Sequence, residues 1–190
     1  MNQYLKYVSS LVISILLFGC AQKLESMSAD SDQKLEENIG YLLLGIDTNT
    51  DLHSITIGGE NYLKLTQNDL RHGSKYILVD IPSGKYKIND IRFAKRIYMK
   101  LIDGYWDFEV KPGEVNYIGD IHVDAQSNGF RALDISATLF LQNRSTAALN
   151  YLKTSFPKVF DSKNVRYVGP GNDDFLEYAE SLAKEKDNTQ

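Results

Sequence analysis

Cysteine and histidine are scarce in this chain of 190 residues. The single cysteine, Cys20, cannot form an internal disulfide, and only three histidines are available for acid–base or metal chemistry. The sequence also lacks the common signatures of serine hydrolases, zinc proteases, P-loop proteins and dinucleotide-binding folds. We therefore expect neither catalysis nor a bound cofactor.

Positive charge is also in short supply. The chain has 21 lysines and arginines against 25 acidic residues, and its formal net charge is −4. Binding to a phosphate backbone needs clustered basic side chains, and no dense basic tract is present. The composition therefore argues against a nucleic-acid partner.

There is one long apolar run, and it lies at the start of the chain. Val8 to Phe18 is apolar apart from three serines and follows a single charged residue, Lys6. A transmembrane helix needs about 20 apolar residues, so this run is too short for one. A short basic region before such a run is typical of a secretory signal peptide, which we assign to residues 1–19.

The residues that end this signal, Leu17-Phe18-Gly19-Cys20, resemble the lipobox of bacterial lipoproteins. Leu17 and Gly19 match that motif, whereas Phe18 is bulkier than the usual small residue. The resemblance implies cleavage before Cys20, a diacylglycerol on its sulfur and a membrane partner through the lipid. Ala21 resembles the sorting residue of outer-membrane lipoproteins. The implied location is the periplasmic face of the outer membrane in a bacterial envelope.

Residues 20–38 follow as the lipidated cysteine and a predicted flexible tether. The segment 21–38 contains many charged and polar side chains and few large apolar ones, which is typical of a linker. Fully extended, it would reach on the order of 60 Å. We therefore expect the domain that follows to be held clear of the membrane.

Between residues 39 and 142 the apolar side chains recur at every second position. The clearest series on one face is Val115, Tyr117, Gly119, Ile121 and Val123. Alternation of this kind predicts antiparallel strands with one buried face, separated here by short Gly- and Pro-containing turns. After Gly84 the apolar positions change from even to odd numbers, which predicts a β-bulge at Asn89-Asp90.

Two stretches within this region, "ILVDIPSGKYKI" and "FEVKPGEVNYIGDI", resemble the turn–strand repeats of transthyretin-like and PEGA-like domains. The resemblance covers about residues 40–142. It implies a mainly β fold, an antiparallel immunoglobulin-like or transthyretin-like sandwich. It also implies a binding or spacer role, and it implies no catalytic residue.

Residues 143–190 change to a helical period and predict a small pair of helices. Ser145 is a candidate N-cap, and Pro157 should end the first helix. In the second helix, Asp173-Asp174 lie at the start and Phe175, Tyr178 and Leu182 share one face. We expect this apolar face to pack on the β domain.

Two groups of residues are candidates for a site. Asp120, His122 and Asp124 share a strand face and could begin a metal site, but ligands two residues apart on a flat strand seldom converge, so we favour a solvated face. The second group lies in the segment 94–106, where aromatic and basic residues interrupt the alternation. Such residues are enriched in binding surfaces; they are Arg96, Tyr98, Tyr105 and Trp106. The alternative is a pair of strands whose aromatic side chains pack in the core.

These patterns predict a membrane-anchored envelope lipoprotein with a non-catalytic binding or scaffolding domain. Its ligand would be an envelope protein or a glycan. Two alternatives remain open: a hydrolase that acts on envelope polymers, and an accessory subunit of a larger envelope assembly. The hydrolase is the weaker alternative because the sequence offers no evident pair of nucleophile and base.

Overall fold

The computed structural model describes residues 21–30, 35–102, 104–127, 135–176 and 178. The predicted signal peptide and Cys20 lie outside these residues. Within them the chain is mainly β, as predicted, with two sheets followed by helices near the C-terminal end. No helix in the described ranges has the length and apolarity needed to cross a membrane.

Sheet A has six strands. In spatial order β1, β4, β3 and β6 lie side by side, and β7 and β8 pair with successive parts of the other edge of β6. The strands are β1 (Gln22–Lys23), β3 (Ser54–Gly59), β4 (Leu63–Thr66), β6 (Gly84–Ala94), β7 (Ile97–Lys100) and β8 (Asp107–Val110).

Sheet B has five strands, in the order β10, β9, β2, β5, with β11 paired to the start of β9. They are β2 (Ile39–Thr48), β5 (Gly73–Pro82), β9 (Val115–Ser127), β10 (Ile135–Gln142) and β11 (Val165–Tyr167). The expectation of purely antiparallel sheets is wrong, because β2 and β9 run parallel, as do β11 and β9 and the short β1 and β4. A parallel pair needs a long connection, and residues 49–114 form the one between β2 and β9.

The inner faces of the two sheets share one hydrophobic core, which we call the inter-sheet core. Sheet A contributes the alternate residues of β3 and β6, and sheet B contributes those of β2, β5 and β9. Its fully buried members include Leu42, Leu44, Ile55, Ile57, Ile77, Ile91, Ile121 and Val123.

Two bulges set the direction of side chains on this framework. The predicted bulge in β6 is confirmed: Asn89 is an extra residue opposite β3, so Ile88 and Ile91 both point into the inter-sheet core. A second bulge in β9 was not predicted. Ile118 and Gly119 lie opposite the single residue Leu44 of β2. Gly119 has a φ of 107°, which is far easier for glycine than for other residues.

The β9 bulge corrects the prediction that its odd-numbered residues share one face. Before the bulge, Val115 and Tyr117 point away from sheet A; after it, Ile121 and Val123 point toward sheet A. Tyr117 and Asp120 are therefore brought to the same outer face of sheet B.

Two helices cover that outer face, α1 (Ser145–Ser155) and α2 (Pro157–Ser162). They bury a second apolar group, which we call the helix-covered cluster: Tyr41, Leu43, Leu78, Val115, Tyr117, Ala148, Leu152, Phe156 and Val159. Ser145 is the first residue of α1 rather than its N-cap, and its hydroxyl lies within hydrogen-bond distance of the side-chain oxygens of Asn143 and Asp173. Pro157 ends α1 as predicted and opens α2.

The predicted apolar face of the last helix is wrong within the described residues. Residues 174–176 and 178 are helical, and Asp173 accepts a hydrogen bond from the Leu176 backbone N–H at 3.0 Å. Leu176 is buried, whereas Phe175 is 55% exposed and Tyr178 is 63% exposed. The buried face is thus one residue out of phase with the prediction. Leu182 lies outside the described residues.

The first described residues, 21–30, do not form a free tether, and we call them the strap. Gln22 and Lys23 pair with β4, Leu24 enters the inter-sheet core at 4% exposure, and the Met27 backbone N–H donates to Leu78 of β5. Asp30 then accepts hydrogen bonds from the backbone N–H groups of Lys158 and Val159 at the start of α2. Burial of Leu24 contributes about 1.5–3 kcal/mol, which favours the bound strap.

Candidate functional site

A buried polar cluster lies on the outer face of sheet B, beside the start of α1. Its centre is Asp120, which is 4% exposed and was predicted to lie in solvent. Tyr117 donates its hydroxyl to Asp120 Oδ1 at 2.7 Å, and Tyr76 donates to Oδ2 at 3.2 Å. The Arg144 guanidinium lies 3.5 Å from the same carboxylate, and the Arg144 backbone N–H donates to the Tyr117 hydroxyl. The cluster therefore joins β5, β9 and the residue before α1.

Burial controls the ionisation of this cluster. Loss of hydration raises the pKa of Asp120 above its ordinary value, although the two tyrosine hydroxyls and Arg144 oppose that shift. Burial and the neighbouring carboxylate raise the pKa of Tyr76 to about 12 and raise that of Tyr117 strongly. The tyrosines therefore remain protonated donors at neutral pH, and neither can serve as a general base.

Gly45 of β2 leaves the space that the Asp120 carboxylate occupies. A Cβ atom at this position would overlap Oδ1 and Cγ of Asp120. Because the carboxylate is fixed by Tyr76, Tyr117 and Arg144, it cannot move aside without breaking these contacts. The glycine is thus part of the construction of the cluster.

The other two metal candidates have partners of their own. His122 Nδ1 lies 3.2 Å from Asp47 Oδ2, and its ring stacks on Phe140 with centroids 4.6 Å apart. Asp124 accepts a hydrogen bond from the Asn49 side chain at 2.6 Å. Among the described residues, no three histidine, cysteine or acidic side chains come together as a metal site would require.

The outer face of sheet A is different, because it carries a row of polar and aromatic side chains. Asp90, next to the β6 bulge, accepts a hydrogen bond from Thr56 at 2.6 Å and from the Arg92 guanidinium at 2.9 Å. Arg92 also lies over the ring of Tyr98 on β7, 4.9 Å from its centroid. Tyr98 is 47% exposed, so this cation–π pair is accessible at the surface.

A groove of about 600 Å³ lies on the same face, next to this row. Gly58 and Gly59 of β3 line it. Lys85 and Lys87 from β6 line it together with Asp107 and Glu109 from β8. The remaining lining residues are Tyr86, Asn89 and Phe108.

The four predicted binding residues occupy four different environments. Arg96 is exposed in the turn between β6 and β7, and Tyr98 follows it on the outer face of sheet A. Tyr105 is 44% exposed, yet its hydroxyl donates to the Leu141 carbonyl at 3.0 Å and so ties the loop before β8 to sheet B. Trp106 is buried in the inter-sheet core, so it presents little side-chain surface to a partner.

Sequence reasoning missed the groove and the Asp120 cluster. The Gly58-Gly59 pair was interpreted only as a turn, although both residues are assigned to β3. For the cluster the available signal was Gly119, a glycine inside an otherwise regular strand.

No protein-family model matches the chain, and no curated protein matches it either. The candidate site is therefore interpreted from its own residues.

Proposed function

We propose that this protein is a lipid-anchored lipoprotein of the bacterial envelope whose domain binds a partner and does not catalyse a reaction. The anchor is Cys20, and the sorting residue Ala21 favours the periplasmic face of the outer membrane. We further propose that the two sheets form an immunoglobulin-like or transthyretin-like sandwich. The shared inter-sheet core supports this finer assignment, while the parallel β2–β9 pair departs from the expected pattern.

The binding role is supported by the burial and the existing partners of Asp120 and His122, the polar groups that a catalyst would need. Asp120 is buried and held by two tyrosines and Arg144, so a substrate could reach it only by displacing them. His122 is paired with Asp47 and stacked on Phe140. Neither group is poised beside a nucleophile in the contacts of the described residues.

The observation that carries the proposal is the accessible outer face of sheet A. It combines a groove lined by Gly58 and Gly59 with the Arg92–Tyr98 pair, and the exposed Arg96 lies in the adjoining turn between β6 and β7. Aromatic rings and guanidinium groups of this kind form hot spots in protein interfaces and stack on sugar rings. The partner is thus an envelope protein or glycan that contacts this face.

Photo-crosslinking in intact cells tests the proposal. A photoreactive phenylalanine analogue replaces Tyr98, and a matched control places it at Lys153, an exposed residue of α1. We expect a discrete adduct from position 98 alone, identified by mass spectrometry, and a loss of that adduct when Arg96→Ala is added. Equal adducts at the two positions, or none at position 98, would contradict a binding role for this face.

An accessory role in a larger assembly is a second proposal, and Phe175 favours it because an aromatic ring 55% exposed on a helix suits docking. Phe175→Ser should then abolish co-purification of the assembly and leave the melting temperature unchanged. A lowered melting temperature with intact co-purification would contradict this role.

A further inference from the structure

The strap fixes the position at which the chain leaves the domain. The Gln22 backbone N–H donates to the Tyr62 carbonyl at 2.8 Å, and that of Leu24 donates to the Lys64 carbonyl at 2.9 Å. Leu24 is almost completely buried between the sheets. Ordered pairing therefore begins two residues after Cys20.

This position lies at one end of the domain, which we call the anchor end. Because β1 and β4 are parallel and start together, Gln22 lies beside the turn between β3 and β4. The pairing of Ile39 with Pro82, and of Gly84 with Val110, brings two more turns to this end. The anchor end thus consists of residues 59–62, 82–84 and 111–114.

The covalent chain sets a short limit on the distance from this end to the lipid. Two Cα–Cα steps separate Cys20 from Gln22, so the two Cα atoms are at most about 8 Å apart. The interfacial region of a bilayer is on the order of 5–8 Å thick on each side. A domain held this closely cannot stand away from the membrane as the predicted 60 Å tether would allow.

On these grounds we propose that the anchor end rests directly on the headgroup region of the bilayer, in an orientation fixed by the strap. The inference depends on the lipidation of Cys20 that the proposed function includes. The occupant of this surface is the lipid bilayer that holds the anchor, because no partner protein could insert into so short a connection without displacing the strap.

The side chains of the anchor end suit such a position. Tyr62 is 48% exposed directly beside the paired Gln22, and tyrosine is favoured at membrane–water interfaces. Two ion pairs lie near this end, Lys111 with Glu109 and Arg166 with Glu114, and the exposed Glu60 adds one negative charge. An interfacial tyrosine and little net charge match a zwitterionic lipid surface.

The orientation has a direct consequence for the candidate binding face. Strand β6 begins at the anchor end with Gly84 and reaches the opposite end with Ala94, over 11 residues. At about 3.3 Å per residue this is a distance of roughly 35 Å. Arg96 is therefore presented far from the membrane, while the groove around Gly58 and Gly59 lies in the half nearer to it.

Fluorescence quenching in vesicles tests this arrangement. The lipidated protein is reconstituted in phosphatidylcholine vesicles that contain a lipid with a headgroup-attached quencher. A fluorophore is placed at the anchor end through Tyr62→Cys or at the far end through Lys95→Cys. A matched variant carries a flexible insertion of about 20 Gly and Ser residues between Ala21 and Gln22, which spans about 25 Å on average.

We expect the label at position 62 to lose most of its emission and the label at position 95 to keep it. The insertion should restore the emission at position 62 and leave the strap free to pair as before. Equal emission at the two positions, in protein that still floats with the vesicles, would overturn the apposition and leave the lipid anchor intact. Protein that fails to float would overturn the anchor and the apposition together.

Discussion

The outer faces of the two sheets differ in what covers them. On sheet B, α1 and α2 bury apolar side chains, and the Asp120 cluster lies buried beside the start of α1. On sheet A, the described residues include no such helix. Arg92 and Tyr98 form an accessible cation–π pair there, and the groove beside them is open. The covered face of sheet B therefore contributes to stability, whereas the open face of sheet A is accessible to a partner. For this reason we propose that the partner binds to sheet A.

The largest effect should come from breaking the covered face. Leu152→Ala removes a fully buried side chain of α1 from the helix-covered cluster. We expect the free energy of unfolding to fall by about 3 kcal/mol, measured by urea denaturation. The neighbouring exposed residue provides the control, and Lys153→Ala should change it by less than about 0.5 kcal/mol. Similar losses from the two variants would show that the helix does not stabilise this face.

A pair of glycine substitutions compares the two faces directly. Gly45→Ala on sheet B places a methyl group against the fixed Asp120 carboxylate, whereas Gly58→Ala on sheet A places it against the end of the Asn89 side chain. Asn89 can swing into the open groove, but Asp120 has no such freedom. We expect a loss of about 1–3 kcal/mol for Gly45→Ala and less than about 0.5 kcal/mol for Gly58→Ala.

Thermal denaturation of the two glycine variants measures these losses of stability. A loss for Gly58→Ala that equals the loss for Gly45→Ala would mean that the groove is as tightly packed as the buried cluster, and it would remove the contrast between the faces.

The smallest effect should be the pH dependence that the buried Asp120 of sheet B produces. Burial raises the pKa of Asp120 in the folded protein, so the unfolded chain releases this proton first as the pH rises. The contribution of Asp120 to stability is therefore present below both pKa values and is lost as the pH rises from the unfolded pKa through the folded one. Asp120→Asn lacks this proton, so its stability relative to the wild type should increase from acidic to neutral pH.

Urea denaturation at a series of pH values measures that difference. Asp124→Asn removes a carboxylate from a less buried position of the same strand and controls for the loss of one negative charge. A stability difference between Asp120→Asn and the wild type that stays constant with pH would contradict the assigned effect of burial.

The sequence was sufficient for most of the strands and for the bulge at Asn89, because a change of apolar phase accompanies that bulge. The bulge at Gly119 produces no such change. Val115 and Tyr117 are apolar because helices cover them, and Ile121 and Val123 are apolar because sheet A does. All four have odd numbers, so alternation alone could not separate two cores on opposite faces of one strand.

The strap and the last helix were mispredicted for related reasons. In the strap, only Leu24 and Met27 are apolar enough to pack. The prediction of a tether depended on the mostly polar composition of the segment, which does not show where two apolar side chains will bind. In the last helix, Phe175 and Leu176 are adjacent and point in directions about 100° apart. The period was correct, but contacts with the rest of the protein selected Leu176. Among the candidate site residues, the pattern placed Tyr98 and Trp106 in one group and could not distinguish the exposed ring from the buried one.

The parallel pairing of β2 with β9 has a consequence for the order of folding. Leu42 and Asn116 are neighbours in space and 74 positions apart in the chain, so sheet B has a high contact order and should form slowly. Until β9 has emerged during synthesis, β2 can pair only with β5. One edge of its apolar sequence then remains unpaired and open to aggregation with other chains. A chaperone that bound this segment transiently would therefore affect the yield of folded protein more than its final stability.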